Sequence, residues 1–155
     1  KGFKQFLKTL TGGRITIGAL GLGTAQGAFA KALEYSQERE AFGKSINKFQ
    51  GIAFKLSDMA TQIEAARHLV YYAAWKKDQG LPVIREAAMA KLFSSETAMW
   101  VTTEAIQVLG GYGYIKEYDV ERFFRDAKIL EIGEGTSEIQ RMIIARDLIQ
   151  SVQTI

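Results

Sequence analysis

At 155 residues, 47% of them apolar and 24% charged, the chain has the size and balance of one globular domain with one core. Its net charge is +3, but the 20 basic residues are interspersed with 17 acidic ones and form no block, which argues against nucleic-acid binding. With no cysteine, disulfides, thiolate catalysis and cysteine-based metal sites are excluded.

The only proline is Pro82, so long unbroken helices are expected. The first is predicted over residues 3–36, opening with Phe3, Phe6, Leu7 and Leu10 at helical spacing. It then carries Gly12, Gly13, Gly18, Gly21, Gly23 and Gly27. Each helical glycine costs about 1 kcal/mol against alanine, so close approach of another backbone or a ligand is implied. "GLGTAQG" within it lacks both the dinucleotide-binding spacing and a preceding strand, so close helix packing is the reading. Residues 15–30 form the longest apolar run, short of the roughly 20 that a bilayer needs and interrupted by Thr16, Thr24 and Gln26. Neither a membrane span nor a targeting peptide is read there. The opening "KGFKQF" has no methionine, and a piece of a larger protein is expected.

"EREAFGKS" reads as a loop. Around its glycine turn stand Arg39, Phe42 and, further on, Gln50; arginine suits phosphate recognition, and a solvated loop is the plain alternative. A second helix is predicted over 46–79, with one stripe through Phe49, Ile52, Ala53, Leu56, Met59, Ala60, Ile63, Ala66 and Val70. Gly80 ends it and Pro82 opens the third, over 83–109, whose apolar side includes Ile84, Ala87, Ala88, Leu92, Ala98, Met99, Ala105, Ile106 and Leu109. His68 has no partner at ligand spacing and is not read as a metal site.

"QVLGGYGY" stops the third helix in a way that needs positive φ. A short helix capped by Asp119 follows, through Ala127, with Glu121, Arg122, Arg125 and Asp126 in local ion pairs. The last helix is predicted over 137–150, its start marked by a Ser137–Gln140 capping box and its apolar face by Ile139, Met142 and Ile143. No alternation of period two persists. The fold class is all-α: an up-and-down four-helix bundle with a short extra helix.

Within "EIGEGTSEIQR", Glu134 sits between Gly133 and Gly135, ahead of a helix start. On the residues alone two readings stand, a turn residue or a base with room for substrate. The helix N-terminus pulls the pKa of such an acid down, and burial against apolar substrate pushes it up.

"GGR" at 12–14, "REAFGKSINKFQ", "QVLGGYGY", "YDVERFFRDAK" and "EGTSEIQR", in this order over nearly the whole chain, resemble the C-terminal helical domain of the acyl-CoA dehydrogenases. The resemblance implies α,β-dehydrogenation of an acyl-CoA thioester, with glutamate removing the α-proton, hydride passing to N5 of FAD, and an electron-transferring flavoprotein as acceptor. It matches Glu134 to the catalytic base. Some relatives carry the base at the position of Gly13, where glycine cannot serve. Arg14 and Gly135 match substrate-binding positions. Arg39, Phe42, Gln50, Gln107, Val108, Leu109, Gly110, Gly111, Thr136, Ser137 and Glu138 match flavin contacts, some of which reach a neighbouring subunit's cofactor. The sequence departs from the family pattern at Thr11, where an acid is common, and at Gly133, where a tyrosine is common.

The resemblance further implies a homotetramer or dimer, and a parent enzyme with an N-terminal helical and a middle β-domain ahead of this one. Residues 1–155 are then a single domain that alone binds FAD weakly or not at all and is inactive. A bacterial cytoplasmic setting is favoured over a mitochondrial matrix. The rival readings are an acyl-CoA oxidase domain and a non-catalytic oligomerisation bundle.

Overall fold

The computed structural model describes residues 2–152, without the side chains of 3–8 and 152. The predicted apolar positions Phe3, Phe6 and Leu7 thus lie outside the described side chains. Six α-helices follow one another: α1 (Gly2–Glu38), α2 (Gln50–Asp78), α3 (Ile84–Leu109), the single turn α4 (Gly111–Tyr114), α5 (Val120–Ile132) and α6 (Ser137–Val152). The loop after α1 is a two-residue hairpin, β1 (Glu40–Ala41) antiparallel to β2 (Lys44–Ser45), closed through Phe42 and Gly43 at φ +51° and +79°. The second predicted helix splits there: Ile46–Lys48 form a 3-10 turn, and Phe49 is extended before α2 starts.

The all-α bundle is as expected. At its centre lies α3, in contact with α1, α2, α5 and α6. The main core gathers Leu22, Ala25 and Ala28 of α1, Leu56, Met59 and Ile63 of α2, Ala98, Val101 and Ala105 of α3, and Val120 and Leu130 of α5. Spacings of three and four put each set on one helix face. Small residues bring α1 and α3 close: a Cβ on Gly18 would lie 3.3 Å from the Ala90 carbonyl oxygen, and one on Gly21 3.0 Å from that of Ser94. Helix packing is therefore what these two glycines serve.

Four local expectations are corrected. Asp119 precedes α5 at φ +55° but makes no capping hydrogen bond; its carboxylate pairs with Lys31 and Arg122 instead. α5 runs on to Ile132, beyond the predicted end at Ala127. Ala53, Ala60 and Ile84 are exposed at the margins of their stripes. α6 departs from its predicted apolar face: Ser137 and Gln140 are buried, Ile139 and Met142 are exposed, and of the predicted apolar residues Ile143 alone is half-buried. The apolar spacing was read correctly as helical, but Ile139 and Met142 face away from the bundle, because polar residues at the start of α6 form its contact with the rest of the chain.

Candidate functional site

All but two of the candidate residues fall into two groups. The first is the turn between α5 and α6. α5 closes with the Gly133 N–H bonded to the Ile129 carbonyl, and the chain then passes through two left-handed residues, Glu134 at φ +55° and Gly135 at φ +96°. Left-handed backbone is uncommon for a residue with a side chain. Here it folds the Glu134 carboxylate back over α1. A Cβ on Gly13 would lie 2.8 Å from Glu134 Oε2 and 3.0 Å from its carboxyl carbon. Glycine at position 13 thus leaves the space that the carboxylate occupies.

Glu134 is nevertheless exposed, because no element among the described residues covers the outer side of this turn. One residue on, Arg14 is 8% exposed and its Nε has no hydrogen-bond partner. Burial draws the guanidinium below its usual pKa; Glu134 opposes that shift and Arg146 adds to it. Arg14 borders a cavity of about 600 Å³ shared with Lys77, Arg146, Leu81 and Ile143.

Thr136, not Ser137, caps α6: its Oγ1 accepts from the Ile139 N–H at 3.4 Å. The predicted capping box does not form. Ser137 is buried with an unpartnered hydroxyl, and the Gln140 amide turns towards the Glu134–Gly135 backbone. Glu138 is exposed in the first turn, where its own N–H and the Thr136 hydroxyl hold its pKa below the usual carboxylate value.

The second group lines a groove of about 630 Å³ between the end of α1, the hairpin and the α3–α4 junction. Arg39, Phe42, Val108, Leu109, Gly110 and Gly111 all border it. Gly110 ends α3 at φ +62° and ψ −134°, as the sequence required of this stop. A Cβ at Gly110 or Gly111 would meet nothing within 4 Å, so a side chain there would project into open space. Tyr35 and Tyr112 add an aromatic wall with ring centres 6.4 Å apart, and the Arg39 guanidinium lies 5.9 Å above the Tyr112 ring. Phe42, 97% exposed, stands edge-on to Phe49 at 6.1 Å.

Residues 1–149 match the family model described as "Acyl-CoA dehydrogenase, C-terminal domain". The chain belongs to the acyl-CoA dehydrogenase family. It is 59% identical over 150 residues to a probable acyl-CoA dehydrogenase of Bacillus subtilis, covering 97% of this chain and 40% of that protein. It is 56% identical over 145 residues to a short-chain-specific acyl-CoA dehydrogenase of Clostridium acetobutylicum, covering 94% and 38%. The butyryl-CoA dehydrogenase structure from Megasphaera elsdenii superimposes with a TM-score of 0.95 at 56% identity, covering 96% of this chain and 39% of that one. The chain thus spans about two fifths of the length of these acyl-CoA dehydrogenases.

Two predicted residues stand outside both groups. Gln50 is exposed at the first turn of α2, and Gln107 borders a separate groove of about 1180 Å³ with Met99, Thr103 and Phe124. The sequence reading passed over Tyr35, Lys77 and Arg146 as site residues. Tyr35 has no local signal, since only the fold brings it beside Tyr112. His68 is exposed, 3.4 Å from Glu64, and the described residues hold no cluster of three metal-binding side chains. Among them, too, no helix is long and apolar enough to cross a membrane.

Proposed function

We propose that this chain is the C-terminal helical domain of an FAD-dependent acyl-CoA dehydrogenase, in which Glu134 takes the α-proton of an acyl-CoA thioester. The observation that carries this reading is the Glu134 carboxylate folded onto Gly13, its atoms occupying the space a side chain would fill. A base needs a fixed position and an unobstructed approach. The left-handed turn supplies the first and the glycine the second. Arg14, buried and short of a partner beside the carboxylate, is suited to an anionic or carbonyl group of the substrate. With Glu134 open to solvent in this chain, the water-excluding wall must come from the rest of the enzyme or from the bound substrate.

The groove fits the adenosine-diphosphate half of FAD. Arg39 offers a fork for phosphate, the tyrosines a stacking wall, and Gly110–Gly111 a surface without side chains. Thr136, Ser137 and Glu138, at the start of α6, would face the flavin end. When bound, the flavin accepts the hydride lost from the β-carbon. Tyr35 follows Gly13 by 22 residues in one continuous helix, about 33 Å along its axis. One cofactor does not reach both groups within a protomer, which supports a site shared between subunits of a homodimer or tetramer. The exposed apolar residues of α6 suit such contacts. On this reading the chain alone holds FAD weakly. The parent enzyme passes its electrons to an electron-transferring flavoprotein, and a bacterial cytoplasmic setting goes with its bacterial relatives.

Glu134→Gln in the full-length flavoenzyme tests the assignment. Turnover is expected to fall by about 100- to 10,000-fold with the flavin retained, as removal of a general base should produce. Turnover close to the unsubstituted enzyme would remove Glu134 from the chemistry.

A further inference from the structure

Gln140 is fully buried in the first turns of α6, yet its side chain serves the preceding turn rather than its own helix. Its Nε2 donates to two consecutive carbonyl oxygens, that of Glu134 at 3.2 Å and that of Gly135 at 2.9 Å. Both neighbours are acceptors, so only the NH2 end of the amide can face them. The orientation is therefore fixed by chemistry, and Oε1 is left buried without a partner. The two carbonyls belong to the two left-handed residues that aim the Glu134 side chain at Gly13. Tying both oxygens to one nitrogen fixes the peptide planes on either side of Gly135.

Gly135 is fitted to the same arrangement. A Cβ there would lie 2.9 Å from Gln140 Nε2 and 3.2 Å from Ile139 Cγ2, and its φ of +96° already favours glycine. The tight spot at Gly135 is thus explained by the amide, independently of any substrate contact.

We infer that Gln140 is a positioning residue: by clamping the Glu134 and Gly135 carbonyls it holds the Glu134 carboxylate over Gly13, in the place from which the base acts. The inference rests on the reading of Glu134 as the base. Misplacing a catalytic group by about 1 Å can cost about 100-fold in rate. Loss of the clamp should act chiefly on the proton-transfer step, because the groove that fits the adenosine-diphosphate half of FAD lies elsewhere and is not bordered by Gln140.

Two measurements test this separately. In this chain, backbone 15N relaxation of residues 133–136 reports whether the turn is held. Gln140→Leu should loosen these amides while α1 and α3 stay rigid; unchanged order overturns the clamp whatever the activity. In the full-length enzyme, Gln140→Leu should lower kcat by about 10- to 100-fold at unchanged flavin content and raise the isotope effect with α-deuterated substrate. Gln140→Glu supplies a second arm. A carboxyl buried against two carbonyls has a raised pKa and donates only when protonated, so its kcat should recover towards acid pH, against the trend of the unsubstituted enzyme. If Glu134→Gln is inactive but both Gln140 variants keep normal kcat, isotope effect and pH profile, the positioning role is refuted. If Glu134→Gln stays active, the base assignment fails instead, and the relaxation result alone decides whether the clamp exists.

Discussion

Glu134 owes its position to residues that do no chemistry. Gly13 is the clearest case: its backbone is helical, so alanine would suit the helix better by about 1 kcal/mol, yet the space beside it holds the Glu134 carboxylate. Gly13→Ala is therefore expected to leave the chain as stable or slightly more so, while displacing that carboxylate. Thermal melting of this chain and kcat of the full-length enzyme should move in opposite directions. A variant with full activity would show that the carboxylate works from elsewhere. At this scale the sequence alone left Glu134 open between a turn residue and a base, and singled it out only through the resemblance of "EGTSEIQR" to the family motif. It did not reveal Gln140. The spacing from Ser137 matched a capping box, and only the reversal of the chain at two left-handed residues brings the Gln140 amide under carbonyls five and six residues back.

Between elements, the seam of α1 and α3 separates glycines that are needed from glycines that are tolerated. At Gly21 the nearest atoms are the Ser94 carbonyl oxygen and carbon, at 3.0 and 3.1 Å from an added Cβ, and backbone cannot swing aside. Gly21→Ala must push the helices apart and should cost about 1–3 kcal/mol in chemical denaturation. Gly23, two residues on, is exposed with nothing within 4 Å, so Gly23→Ala should gain up to about 1 kcal/mol. Equal effects at the two positions would mean that propensity, not packing, decides. The order of the long helices and most of their boundaries were legible because the repeat of Leu56, Met59, Ile63 and Ala66 is long and regular; the single turn α4, read as a plain helix stop, was not. Which glycines meet a neighbour was not, since "GALGLG" places Gly18, Gly21 and Gly23 in one run and only the crossing of α1 with α3 tells them apart. The outward apolar face of α6 was hidden for the same reason: spacing gives the face and not its direction.

Across the whole molecule, the polar residues beneath the α5–α6 turn are as telling as the core. Lys91 of α3 is fully buried and its Nζ has no hydrogen-bond partner. Glu131, Glu138 and Glu96 favour its charge and Arg14 opposes it, but burial outweighs them and draws its pKa below the usual 10.5. A lysine with a depressed folded-state pKa makes stability depend on pH in a definite direction. Between the folded value and 10.5 the unfolded chain binds more protons than the folded one, so stability rises with pH across that window. Below the folded value both states are protonated, and the burden of a buried cation is complete. Lys91→Met keeps much of the volume and removes the charge, and replacing buried ionic groups by apolar ones is often neutral or stabilising. The substituted chain should therefore be at least as stable at neutral pH, and the difference between the two chains should shrink as pH is raised towards 10.5. Denaturant midpoints of both chains measured side by side across that range cancel the titration of groups that do not interact with Lys91. A difference that stays constant with pH would mean that Lys91 keeps its ordinary pKa in the folded chain, with its charge satisfied by groups around the turn.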